Sequence, residues 1–210
     1  MGTGVDNSLL AQMAERLHEA YLGTFSIPSA TTGHLIRLHL LASECRRIVE
    51  VGVESMITTF AFLSGLTTGG ELTCIDVRSP PPDRWKVAQR AAEQIGICVS
   101  FLHGSDLEVE VPSCDLLFID GFHTYQQVIT ELRVLQGRVG KYIALHDTSP
   151  PWGDRNEGYT GDYREYPGAN RKKEGVWTAI VDFLVEHPQW KLMERHHHSH
   201  GLTILMRVTL

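Results

Sequence analysis

Apolar positions recur at two periods along this chain, and the switching between them predicts its elements. Leu9, Leu10, Met13, Leu17, Ala20 and Tyr21 fall at helical spacing, and a second helical stretch from Thr32 to Cys45 carries Leu35, Ile36, Leu38, Leu40 and Leu41. Residues 1–45 therefore read as a helical cap. From Arg47 to Val53 the pattern is that of a short strand ending near a glycine, followed by an apolar helical stretch through Leu63. The unit then repeats: strands are expected at Glu71–Val77, Cys98–Leu102, Asp115–Asp120 and Tyr142–Leu145, and helices at Trp85–Ile95, Tyr125–Gln136 and Val176–Glu186. Strands alternating with helices of ten or more residues imply βαβ crossovers, hence a mostly parallel sheet with helices on both faces.

Two stretches depart from this rhythm. Trp190–Arg195 and Gly201–Val208 read as strands joined by the short turn HHHSH, which forces them antiparallel. Residues 148–174, TSPPWGDRNEGYTGDYREYPGANRKKE, have no period at all. A loop of that length after a strand end is expected to be an acceptor lid, with Trp152, Tyr159, Tyr163 and Tyr166 as stacking faces or as anchors for the loop.

Composition narrows the function classes. At 210 residues and 42% hydrophobic content the chain suits one domain, 1–210, with no linker. The charge-free stretch Met56–Gly70 falls short of the roughly 18 apolar residues of a membrane span, and MGTGVDNS is no signal peptide, so a cytoplasmic location with no membrane partner is expected. A formal charge of −6 argues against nucleic acid as a partner. Cys45, Cys74, Cys98 and Cys114 are widely spaced and read as reduced core thiols.

Candidate chemistry lies at the strand ends. In IVEVGVESMITTF, residues 48–60, a strand ends in Glu50-x-Gly52 before a helix: glycine permits close approach of a ligand to the backbone, and a carboxylate holds an ammonium or hydroxyl. Asp76 ends the next strand, where an acidic side chain commonly grips a ribose diol. The full glycine pattern that cradles a pyrophosphate is missing, which favours a phosphate-free nucleoside. Asp120, His146 and Asp147 end neighbouring strands and can converge on one cation, with His123 three residues beyond Asp120.

LLFIDGFHTYQQVITELRVL followed by KYIALHDTS resembles the IDGxHxY and HD signatures of the metal-dependent O-methyltransferases related to macrocin and mycinamicin sugar methyltransferases, with catechol O-methyltransferase more distant. The likeness covers roughly residues 30–208. It implies a Rossmann-like class I methyltransferase fold with a seven-stranded sheet, S-adenosylmethionine as methyl donor, a divalent Mg or Mn ion, and a small-molecule or glycan acceptor. The donor would be approached by Glu50, Gly52, Thr58 and Thr59 on its methionine side, by Asp76 at the ribose and by Ser105 and Asp106 at the adenine; Asp120 would border it. Asp120, His146 and Asp147 would take the metal positions, and His123 that of the general base, an imidazole with an ordinary pKa near 6.5. Met56 stands where relatives carry a third glycine, and His146 where several carry an acid.

Three other readings stay open at this point: a phenolic or catechol acceptor, a non-haem Fe(II) oxygenase built on His123, His146 and a carboxylate, and a binding module that keeps the donor pocket without the chemistry. Homo-oligomerisation is undecided. The cluster His196, His197, His198 and His200 is expected to be a solvated turn rather than a metal site.

Overall fold

The computed structural model describes residues 23–24, 29–157 and 173–208. The helix expected over Leu9–Tyr21 and the lid residues 158–172, with Tyr159, Tyr163 and Tyr166, lie outside the described residues.

The expected alternation is what the chain does. Helix α1 (Leu35–Ser43), preceded by a 3-10 turn at Thr32–His34, leads into β1 (Arg47–Val51), α2 (Ile57–Gly65), β2 (Glu71–Asp76), α3 (Pro82–Gln94), β3 (Cys98–His103), β4 (Cys114–Ile119), α4 (Tyr125–Leu135), β5 (Val139–His146), α5 (Val176–Glu186), β6 (Trp190–His196) and β7 (Leu202–Arg207). Local signals set several starts. Pro82 fills the first turn of α3, where a missing N–H costs nothing, and the Thr124 hydroxyl caps α4 by accepting from Gln127 N at 3.2 Å.

The sheet has seven strands in the order β3-β2-β1-β4-β5-β7-β6. The first five are parallel, and β7 runs antiparallel to both β5 and β6. Successive residues supply opposite faces. Ile48, Leu116, Phe118 and Ala144 pack with α1, α2 and α3, whereas Val49, Val51, Leu117, Ile119, Ile143 and Leu145 pack with α4 and α5. Both faces are thus covered, as the near-continuous apolar runs of β1 and β4 require.

Because β1 pairs with β2 on one side and β4 on the other, the crossovers diverge at β1 and β4, and a crevice opens beyond their carboxyl ends. Every sequence-predicted site residue except Ser105 and Asp106 lies at or just after the end of β1, β2, β4 or β5, or at the start of α2. One expectation is corrected: Cys45, Cys74 and Cys114 are buried thiols, but Cys98 begins the edge strand β3 and is exposed. Among the described residues no helix is long and apolar enough to cross a membrane.

Candidate active site

On the β1–β2 side, the candidate donor residues are tied to one another. Asp76 Oδ2 accepts from Val53 N (2.8 Å) and Glu54 N (3.1 Å), and Oδ1 accepts from Arg78 N (2.8 Å), so this carboxylate fixes the loop after β1. Gly52 has φ +83°, and a Cβ there would meet the carbonyl oxygen of Asp120 at 2.0 Å. Only glycine allows this contact, which joins the loop to the end of β4.

Beneath the loop, Glu50 is fully buried. Its oxygens accept from Thr58 Oγ1 (2.5 Å) and Thr59 Oγ1 (2.7 Å), with Cys74 Sγ at 3.4 Å. Burial pushes its carboxyl up to about 7 despite these donors. Glu50, Thr58 and Thr59 therefore tie β1 to the start of α2. Met56, in the glycine position of relatives, keeps the left-handed conformation (φ 62°) at the start of α2 while its side chain is fully buried in the core formed with α1. Its bulk goes into the protein interior.

Ser105 and Asp106 follow β3. Asp106 is buried with Oδ2 lacking a partner among the described residues, and burial pushes its carboxyl up to about 6. Sequence reasoning missed its neighbour Glu131 on α4. Glu131 is fully buried, one oxygen accepting from Gln127 Nε2 at 2.6 Å, and burial together with Asp106 raises it well above the usual carboxylate range.

At the ends of β4 and β5 the structure brings Asp120, His146 and Asp147 together, with ligand atoms all within 4.8 Å of one another. His123 joins them: its Nε2 lies 3.3 Å from Asp120 Oδ1 and 3.0 Å from Asp147 Oδ2. His146 Nδ1 faces the same two oxygens at 3.1 and 3.3 Å. Burial works against charge on every member, and mutual attraction overcomes it: both carboxyls are held below the usual range, His123 is pushed up to about 11 and His146 to about 10. His123 thus departs upward from the ordinary imidazole value expected for it, because two carboxylates face its Nε2.

Three further residues, Glu157, Ser199 and His200, complete the cluster, and none of their contacts was evident in the sequence. Glu157 Oε2 accepts from His123 Nδ1 at 2.9 Å, while the backbone N of Glu157 donates to His123 O at 2.9 Å. The turn expected to be merely solvated, residues 196–200, docks on the site: Ser199 O accepts from His146 Nε2 at 3.0 Å, and His200 Nδ1 lies 3.1 Å from Asp147 Oδ1. His197, His198 and His200 are nevertheless exposed, so the turn is solvated on one side only. Buried His34 fastens it, with Nε2 3.1 Å from His198 O and 3.2 Å from Ser199 O.

No family model matches the chain. Among known structures, an O-methyltransferase from Bacillus cereus in complex with SAH is similar over 96% of this chain and 91% of its own, with TM-score 0.58 and 15% identity. TomG of Streptomyces achromogenes, an O-methyltransferase of tomaymycin synthesis in complex with SAM, is similar over 96% and 89%, with TM-score 0.57 and 13% identity. The chain has the class I methyltransferase fold. A protein of Mycobacterium sp. (strain JLS) described as a candidate O-methyltransferase is 30% identical over 150 residues, 67% of this chain. This chain covers 64% of the length of that relative. Within this fold, the pinned loop after β1 and the Asp/His cluster after β4 and β5 flank one crevice.

Proposed function

We propose that the chain transfers a methyl group from S-adenosylmethionine to an oxygen of a small acceptor, with a sugar or glycan hydroxyl as the first choice and a phenol as the second. The observation that carries this reading is the contact of Gly52 with the Asp120 carbonyl, which sets the donor loop and the Asp/His cluster on one ridge. Donor and activated oxygen must lie side by side for in-line transfer. Similar chains with SAM or SAH bound support the donor, and the IDGxHxY and HD signatures support the sugar.

In this proposal Gly52, without a side chain, lets the donor's methionine end approach the loop after β1, whose N–H groups at Gly52, Val53, Glu54 and Met56 are already bonded within the protein. Asp76, whose oxygens keep further lone pairs beyond three backbone bonds, takes the ribose diol, and Ser105 and Asp106 take the adenine edge. Asp120, Asp147 and His146 offer oxygen and nitrogen donors that fit a divalent ion, which when bound supplies a lowered pKa to the acceptor hydroxyl.

Calorimetric titration with S-adenosylmethionine and S-adenosylhomocysteine, with and without Mg²⁺ or Mn²⁺, tests the reading on the wild type and on Asp76→Ala. Micromolar binding lost in the variant supports it. Absence of binding under every metal condition overturns it and moves the iron reading forward, since the same cluster contains two imidazoles and two carboxylates.

A further inference from the structure

We propose that Glu157, at the root of the 148–174 loop, is a positioning residue: it holds the His123 ring with the proton on Nδ1 and turns Nε2 toward the acceptor side of the crevice. The inference rests on the methyl-transfer reading and on His123 as its general base.

The first ground is that the two residues grip each other at more than one point. Glu157 Oε2 accepts from His123 Nδ1 at 2.9 Å and lies 3.5 Å from His123 N, while Glu157 N donates to His123 O at 2.9 Å. A backbone bond combined with a ring bond fixes the torsions of both side chains, which a ring bond alone would leave free to turn together. A carboxylate only accepts, so the ring nitrogen that faces it carries a proton. Nε2 is thereby the atom presented to Asp120 Oδ1 and Asp147 Oδ2, at 3.3 and 3.0 Å.

The second ground is that Glu157 stands on a fixed base. Asn156 Oδ1 accepts from Tyr125 N (2.8 Å) and Gly175 N (3.0 Å). Tyr125 N is one of the amides that the start of α4 leaves without an intrahelical partner, and Gly175 stands just before α5. One amide thus joins the starts of two helices and sets the place of the next residue in the chain. The fold uses Asn156 for these bonds. It makes no such use of Glu157, whose carboxylate, among the described residues, bonds only to His123.

The third ground is the chemistry that such a pair supports. When Asp120 and Asp147 hold the divalent ion of that reading, Nε2 is left to the acceptor hydroxyl. The acceptor O–H bond breaks as its proton passes to Nε2, the O–CH₃ bond forms as the S–CH₃ bond breaks, and S-adenosylhomocysteine leaves as a neutral thioether. The imidazolium formed is already paired through Nδ1 with a carboxylate, and its ring does not have to turn. A carboxylate behind a histidine base acts in this way in hydrolase triads, by fixing tautomer and orientation.

Nitrogen NMR of the full chain, labelled in its histidines and loaded with S-adenosylhomocysteine and Mg²⁺, reads the tautomer directly, with His123→Gln identifying the His123 signals. In the wild type Nδ1 is expected to carry the proton and Nε2 to be bare. In Glu157→Ala the proton should distribute over both nitrogens, and the Nδ1 proton should exchange with water at least about 10-fold faster. Glu157→Gln, whose amide oxygen can still accept, should restore part of both readings. S-Adenosylhomocysteine affinity within about twofold of wild type, by calorimetry, checks that each variant is folded with its donor site intact. An unchanged tautomer and exchange rate in a folded Glu157→Ala overturns the inference. The wild type alone gives a second answer: a bare Nδ1, or a ring protonated on both nitrogens under these conditions, also overturns it while leaving the donor reading in place. Failure of the wild type to bind S-adenosylhomocysteine would overturn the methyl-transfer reading and this inference with it.

Discussion

The two walls of the crevice are built on opposite principles. On the β1–β2 side the carboxylates are tied to backbone and hydroxyl donors: Asp76 takes three backbone N–H groups and Glu50 takes two threonine hydroxyls. On the β4–β5 side two carboxylates and two imidazoles face one another across about 3 Å, with their outer atoms anchored by Glu157 and Ser199. The first wall is held in shape by bonds within the protein. The second gathers two carboxylates and two imidazoles around a point, and this difference separates what mutation should do to folding from what it should do to binding.

The hardest blow to the first wall is expected from Gly52→Ala. It places a methyl 2.0 Å from the Asp120 carbonyl at φ +83°, and should cost more than about 3 kcal/mol in urea unfolding. A loss below about 1 kcal/mol would show that the ridge between the walls yields easily. Glu50→Gln comes next. The Glu50 carboxyl is raised from 4.5 to about 7 in the folded chain, so its stabilisation is complete below pH 4.5 and fades as pH rises through about 7. Wild type should therefore lose about 3 kcal/mol relative to Glu50→Gln across that interval, read as a difference of unfolding midpoints. Parallel pH profiles would mean that Glu50 is hydrated.

Met56→Gly sharpens the contrast further. It relieves a left-handed backbone but empties a fully buried site, and a net loss of about 2 kcal/mol is expected in thermal or urea unfolding, with donor affinity unchanged. The smallest effect belongs to the rim of the other wall. His200→Ala removes one contact with Asp147 from a side chain that is 47% exposed, and should change stability by less than about 0.5 kcal/mol and cation affinity by less than about threefold, measured by calorimetry.

Much of this architecture could be read from the chain. Strand and helix periods located α5 over Val176–Glu186 to the residue, and the five-residue turn HHHSH implied the antiparallel end of the sheet. The convergence of Asp120, His146 and Asp147 followed from neighbouring strand ends. What stayed hidden is contact between distant residues with no pattern to announce it. His34 holds a turn 164 residues away, and Glu157 reaches His123 from a loop without period. Nor could spacing show that Asp76 also ties down the loop after β1 and that Glu50 accepts from Thr58 and Thr59, because such contacts leave no pattern in the sequence.

The placement of β7 has a consequence for the timing of assembly. It lies between β5 and β6, although β6 precedes it in the chain, and the turn before it supplies Ser199 to the cluster. During synthesis the parallel half of the sheet can pair before residues 199–207 exist, whereas the edge of β5 waits for them. The wall with the Asp/His cluster is therefore the last part of the molecule to close, and a nascent chain would be competent to order the loop after β1 before it could order that cluster.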